Sequence, residues 1–303
     1  MRLIAILSCA LLAAPLAAAQ TPPAPLVAPT VPTFTLTAPS YARYERATEV
    51  QVRDVIAYVR VRPENRSDVS VAVINAGPLA APRFRMSGRR LIVDGGVRRQ
   101  IRGCEVEGAN GFEVRTSRNG VLRGNQIPTI ELRVPQNAVV STNGAVRLRM
   151  APAQAATVRI DGCGDAIIER VTESAEISIS GAPDVRVLDV GELEAALAGA
   201  GDMNVGIVRA GLTVSVAGAG EFIAAHVDGE TNIALQGAGD VLIRDGRATT
   251  LSVAIAGSGD VTHNGTAQSL DAAIFGSGDV RVRSVEGETS RSVIGSGEVI
   301  VGR

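Results

Sequence analysis

A five-residue pattern that recurs along the second half of the chain constrains its fold more than any other feature. The pattern is glycine, any residue, glycine, an acidic residue and an apolar residue, as in Gly257-Ser258-Gly259-Asp260-Val261. A weaker copy is Gly181-Ala182-Pro183-Asp184-Val185. The other copies begin at Gly162, Gly199, Gly218, Gly237, Gly276 and Gly295, so successive starts are 18 to 20 residues apart. A near-constant period of this length is typical of a solenoid.

Each repeat has the pattern of two short strands joined by a tight turn. In the copy around the first pattern, Leu251, Val253 and Ile255 alternate with small residues, which predicts a strand with one buried face. The glycines that follow can adopt positive φ in a turn without steric cost. Asp260 is suited to capping free backbone N–H groups of that turn, and Val261 begins a second inward-facing strand.

Aligning the repeats predicts two inward columns of apolar side chains. The first strand supplies pairs from Val158/Ile160 to Ala272/Ile274, and the second supplies pairs from Ala166/Ile168 to Val299/Val301. Stacking like residues about 4.8 Å apart would make a continuous core. Residues 155–303 are therefore predicted to form an all-β, parallel β-helix of about 19 residues per coil, right-handed by the crossover rule.

The chain before the repeats divides into three parts. Residues 1–19 combine Arg2, an apolar run and small residues before Gln20, which predicts a secretory signal peptide. Residues 20–40 are rich in Pro and Thr and are predicted to form a stiff, disordered linker. Residues 41–154 are predicted to be irregular β-structure, either coils that cap the array or a small β-sandwich on its end.

The upstream β-region contains six predicted strands, and no stretch of the mature chain is predicted to span a membrane as a helix. The predicted strands are Val50–Val61, Val69–Ile74, Arg90–Asp94, Glu113–Thr116, Ile130–Val134 and Val146–Met150.

Charge is divided unevenly between the two halves, although the net charge is −1. Residues 1–150 hold 20 Arg against 10 Asp and Glu, and residues 151–303 hold 10 Arg against 21 Asp and Glu. The chain contains no Lys. The acidic excess follows from the turn residues, and head-to-tail self-attraction is an alternative hypothesis. Export argues against nucleic acid as a partner of the basic half.

One acidic residue per repeat forms a predicted turn-capping column. It consists of Asp165, Asp184, Asp202, Glu221, Asp240, Asp260, Asp279 and Glu298. Stacked carboxylates repel one another, so weak calcium binding is the alternative hypothesis. The spacing differs from that of calcium-binding β-rolls, so no metal site is predicted.

Cys104 and Cys163 are the cysteines that remain after removal of the predicted signal peptide. Export places them in an oxidising compartment, so they are predicted to form a disulfide between the irregular region and the first regular coil. The alternative is two free thiols.

No arrangement of residues in the sequence indicates an enzyme or a cofactor. The histidines are His226 and His263, about two repeats apart, and His263 occupies the inward column, where a structural role is favoured. No catalytic triad, zinc spacing or phosphate loop is visible.

Outward residues of the first strand are small and mostly uncharged, as in Ser178, Ala196, Ser215, Ala254 and Ala273. Solvated sheets usually carry bulky polar side chains, so this face is predicted to be covered. The upstream part of the chain, a second copy in a homo-oligomer, or an envelope protein or polysaccharide could cover it.

The repeated Gly-Ser-Gly-Asp-Val units and their alternating strands resemble the head GIN domain family, described as a "putative autotransporter adhesin". The resemblance is strongest over 155–303 and implies a parallel β-helix in the cell envelope, with no cofactor or catalytic residue. We therefore expect a non-enzymatic structural or adhesion module exported to the periplasm or cell surface. A carbohydrate-binding or carbohydrate-processing β-helix is the alternative, and it would need a groove lined by aromatic residues and paired acids.

Overall fold

A computed structural model describes residues 40–75, 77–107 and 111–302 of the protein. The predicted signal peptide and, apart from Ser40, the predicted linker lie outside this part. Strands make up 76% of the structure, and the described residues contain no α-helix. Short 3₁₀ helices occur at Arg98–Gln100 and Gly124–Gln126.

Twenty strands follow in chain order. They are β1 (Ala42–Tyr44), β2 (Glu49–Glu64), β3 (Val69–Ile74), β4 (Arg83–Ser87), β5 (Arg90–Asp94), β6 (Ile101–Glu107), β7 (Gly111–Thr116), β8 (Gly120–Arg123), β9 (Thr129–Pro135), β10 (Asn137–Met150), β11 (Ala155–Gly199), β12 (Met203–Gly218), β13 (Glu221–Gly237), β14 (Asp240–Ile243), β15 (Gly246–Gly257), β16 (Val261–Ala267), β17 (Leu270–Gly276), β18 (Val280–Val285), β19 (Thr289–Gly295) and β20 (Val299–Val301).

The repeats form a parallel β-solenoid, which confirms the predicted fold class. Gly218 on β12 pairs with Gly237 on β13, which in turn pairs with Gly257 on β15. The register then continues to Gly276 on β17 and Gly295 on β19. The solenoid has about nine turns of about 19 residues per coil. Its right-handedness stays a prediction.

The core runs through the stacked coils, and both predicted inward columns are buried. Val253 and Ile255 are 2% and 3% exposed, and His263 is fully buried. A third buried stretch, which the sequence did not predict, lies between the second strand of one coil and the first strand of the next. Ala267 and Leu270 are examples of it. Each coil contributes too few residues there for an alternating pattern to be recognised.

Parallel stacking extends upstream of the sequence repeats. β10 pairs with β11 in a register of 18 residues, from Asn137 with Ala155 to Met150 with Ile168. On its other side β10 pairs in parallel with β2. β2 then pairs in parallel with β5 and β9, which follow it in the chain and occupy its far edge. The predicted irregular region therefore supplies coils of the same solenoid.

Antiparallel strands close the solenoid beyond β5 and β9. β4 pairs antiparallel with β5, and β3 pairs antiparallel with β9. β1 extends this layer by pairing with β3. The rings of Tyr44 on β1 and Phe84 on β4 stack with centroids 6.3 Å apart. This layer covers the strand edges that an open solenoid end would expose.

A small antiparallel sheet of β6, β7 and β8 packs on the outside of the first coils. Its Phe112, Val114 and Leu122 form a second apolar cluster with Ile56 of β2 and Ala145 of β10. A disulfide joins Cys104 of β6 to Cys163 of β11, with the Cα atoms 6.2 Å apart. The covalent link therefore fixes the small sheet to the first repeat.

Candidate functional site

Outward residues of the first strand in successive coils form one continuous surface, which we call the groove face. Two columns make up most of it. One contains Ser178, Ala196, Ser215, Ala234, Ala254, Ala273 and Ser292, and the other contains Ser180, Ala198, Ala217, Gln236, Ala256, Phe275 and Ile294. Ser178 is half-buried and the other residues are exposed. Regular parallel registers hold these columns straight, so short side chains leave the sheet backbone open to a partner.

A groove of about 660 Å³ lies at the upstream end of this face. Its floor includes Ser178, Ala196 and Ser215, and its rim carries Arg98 and Arg159. Arg159 forms an ion pair of 2.5 Å with Glu176. The groove thus combines small uncharged side chains with guanidinium groups at one end.

The downstream end of the groove face is apolar. Phe275 is 66% exposed and Ile294 is 64% exposed, the largest values among the large apolar side chains in the described part of the chain. They line a shallower groove of about 270 Å³ together with Ala254 and Ala273. Exposed side chains of this size on one sheet indicate a binding surface.

The acidic column lies at the corner after the first strand, and its aspartates connect neighbouring coils. The Oδ1 atom of Asp260 accepts a hydrogen bond of 2.8 Å from the backbone N–H of Asp279. Asp279 accepts one of 2.9 Å from Glu298. Asp202 and Asp240 make equivalent bonds to the next acidic residue along the column. Each carboxylate therefore caps the following coil rather than its own turn.

The remaining members of the column differ from this pattern. Asp165 pairs with Arg147 at 2.9 Å and with Arg149 at 3.3 Å. Burial, together with the charges of Asp202 and Asp165, raises the pKa of Asp184. Glu221 and Glu298 accept no hydrogen bond from any residue in the described ranges. Those ranges also contain no group of three His, Cys, Asp or Glu side chains able to hold a metal ion.

An ion-pair ladder that the sequence did not predict lies elsewhere on the coils. Asp189 is 8% exposed, and its Oδ2 atom is 3.0 Å from Nε of Arg170 and 2.7 Å from Nη2 of Arg209. The hydrogen bond from Arg209 is the main cause that lowers the pKa of Asp189. The two arginines lie 19 and 20 residues from Asp189, so the repeat period was the signal that could have identified them.

The two histidines lie in different environments and do not form a common site. His263 is buried in the inward column, where its Nδ1 atom accepts a hydrogen bond of 3.2 Å from the backbone N–H of Gly265. Burial lowers the pKa of His263. His226 is partly exposed and contacts Asp228, with 3.0 Å between Nε2 and Oδ2. In the described ranges, no helix is both long and apolar enough to cross a membrane.

This architecture places the chain in the class of parallel β-solenoid repeat proteins. Its repeats match the family described as "Putative auto-transporter adhesin, head GIN domain" over residues 186–284 and 224–301, which confirms the resemblance seen in the repeated pattern. No curated protein matches the chain.

Solved structures of bacterial proteins resemble it at low sequence identity. A "putative adhesin" from Parabacteroides distasonis ATCC 8503 is 14% identical, with 86% of this chain and 96% of the other covered at a TM-score of 0.49. A "putative lipid binding protein" from the same organism is 17% identical, with 88% and 97% covered at a TM-score of 0.47.

Proposed function

We propose that the protein is a non-enzymatic interaction module of the cell envelope, exported by its predicted signal peptide, and that the groove face is its binding surface. The observation that carries this proposal is the exposure of Phe275 and Ile294 at the end of a straight sheet face with short side chains. Such a face offers contact area without the residues that bond breaking needs. The family description, which names an adhesin, supports the same role.

The positions of the reactive side chains also favour binding over catalysis. Asp202, Asp240, Asp260 and Asp279 hold backbone N–H groups of neighbouring coils, and these contacts orient their Oδ1 atoms away from a substrate. His263 lies in the core, where a substrate cannot reach it. Carbohydrate processing would need paired acids beside a groove, and the 660 Å³ groove holds Asp54 and Asp161 among serines and alanines.

The experiment combines location with binding. Cells that produce the full chain are fractionated and treated intact with a protease, and the purified mature protein is immobilised on beads that are incubated with the same cells. We expect the protein in the envelope fraction and cells retained on the beads. Ala254→Arg on the groove face should reduce retention at least about tenfold, because a guanidinium there would have to be desolvated on binding.

The matched control is Asn204→Arg, which adds the same charge at an exposed outward position of the second strand. It should leave retention unchanged. Cytoplasmic protein with an intact residue 1–19 segment, equal retention by all three proteins, or release of reducing sugar from envelope polysaccharide would each overturn the proposal.

A further inference from the structure

We propose that the occupant of the groove face is a second copy of this chain, packed face to face with its coils in the opposite order. This inference rests on the proposed function, because it assigns a partner to the same face. A two-fold axis parallel to the strands, placed between the coils of Ser215 and Ala234, would generate the arrangement. Such an interface is isologous, since each surface patch contacts its own symmetry mate.

The sizes of the outward side chains change along the face in the way that this packing requires. In one column the upstream residues are Ser180, Ala198 and Ala217, and the downstream residues include Phe275 and Ile294. Reversing the coil order places Phe275 of one copy over Ser180 of the other, in the 660 Å³ groove that Ser180 lines. Each copy then fills the groove of the other with its own exposed apolar side chain, and two such insertions form per dimer.

Charge complementarity favours the same orientation. The upstream half of the chain carries an excess of Arg and the downstream half an excess of Asp and Glu, so reversed coils bring opposite charges together. Locally, the exposed Asp271 of one copy would approach the pair of Arg159 and Glu176 in the other. Packing with the coils in the same order would instead place like halves side by side.

The area of the face is sufficient for a specific but weak dimer. Strands spaced about 4.8 Å apart give the face a length of about 34 Å and a width of about 18 Å. Contact would bury roughly 600 Å² per copy, or about 1,200 Å² in total, at the lower end of specific interfaces. The described upstream region leaves this area free, because its small sheet packs on Ile56, Ala145 and Cys163 instead.

Sedimentation velocity of the purified mature protein over a hundredfold range of concentration tests self-association directly. We expect a concentration-dependent monomer–dimer equilibrium. Ala254→Arg should weaken it at least about tenfold, and Asn204→Arg should leave it unchanged. A protein that stays monomeric at every concentration overturns the dimer, while loss of cell retention by Ala254→Arg in the bead assay would still support the groove face as an interaction surface. A dimer that Ala254→Arg leaves intact also overturns the inference.

Cysteine cross-linking tests the orientation. In the double variant Ser178→Cys/Ala273→Cys, reversed coils place each new thiol opposite the other kind in the second copy, so mild oxidation should give a disulfide-linked dimer. In Ser178→Cys alone, the two thiols would lie about five coil spacings, or about 24 Å, apart, and no cross-link should form. Efficient cross-linking of the single variant would show that the coils run in the same order and would overturn the proposal.

Discussion

The carboxylate of Asp240 accepts a hydrogen bond from the backbone N–H of Asp260 in the next coil, with 2.8 Å between Oδ1 and N. The two residues occupy the same position in successive repeats, so the acceptor of one bond belongs to the residue type that donates its N–H in the next. This arrangement joins coils at a corner where the sheet hydrogen bonds are interrupted. It gives the recurrence of Asp a structural reason that is independent of any ligand.

Replacement of Asp240 by Ala should lower the free energy of unfolding by about 0.5–1.5 kcal/mol, because the N–H of Asp260 loses its acceptor. Chemical denaturation monitored by circular dichroism measures the change. Glu221→Ala is the matched control, since Glu221 is exposed in the same column and accepts no such bond within the described structure. Equal destabilisation by the two variants would contradict the capping role.

The corner glycines allow neighbouring coils to approach closely. Gly218 has φ +136°, and a Cβ atom there would lie 2.2 Å from the carbonyl oxygen of Gly199. We expect Gly218→Ala to reduce the free energy of unfolding by at least about 2 kcal/mol. Gly211→Ala on the same strand should change it by less than about 0.5 kcal/mol, because the nearest atom would be at 3.5 Å. Thermal unfolding of both variants would reveal a wrong assignment if their order were reversed.

His263 should make stability depend on pH in the mildly acidic range. Burial lowers its pKa below the ordinary value of 6.5, so the unfolded chain binds the proton more tightly than the folded chain. The free energy of unfolding should therefore be fully present above about pH 6.5 and fall below it, by at most about 1.4 kcal/mol per pH unit. His263→Leu should flatten the profile between pH 7 and pH 5, as measured by urea denaturation.

A control for repacking is Val282→Ile, at the position that pairs with His263 in the next coil. This variant changes the volume of the same column without removing the titrating group, so it should keep the slope of the parent protein. An unchanged slope in His263→Leu would place the acid sensitivity elsewhere.

The disulfide should hold the small sheet of β6, β7 and β8 to the solenoid. Its cysteines are 59 residues apart, and a loop of that length corresponds to about 4 kcal/mol of unfolded-state restriction. In Cys104→Ser/Cys163→Ser, hydrogen exchange should accelerate over 101–123 and stay unchanged over 203–301. Labelling of the unreduced, denatured parent should find no reactive thiol, and two reactive thiols would exclude the bond.

The repeats made the solenoid predictable because each coil offers the same physical signal. Val253 and Ile255 alternate with small residues, and the glycines mark the corner, so the inward columns could be assigned residue by residue. The groove face could be predicted in the same way, because outward positions follow once inward ones are known. The two grooves could not be predicted, since they depend on the exposed orientation of Phe275 and on the rim that Arg98 contributes from a distant segment.

The upstream coils were harder to predict because their neighbours in space are distant in the chain. β2 pairs with β9 through Tyr58 and Thr129 and with β10 through Val140 and Val50. No period in the sequence connects these residues. The ladder around Asp189 was missed for a different reason, because ion pairs between coils leave no trace in an apolar pattern.

The position of β2 between β5 and β9 on one side and β10 on the other has a consequence for the order in which the protein can assemble. Its partners include residues up to Met150, so this layer cannot be completed until about half of the chain is free to fold. Each later coil pairs with the one about 19 residues before it. A chain that emerges from its N-terminus would therefore pass one slow, non-local step and then lengthen by local additions, with the growing strand edge always at its downstream end.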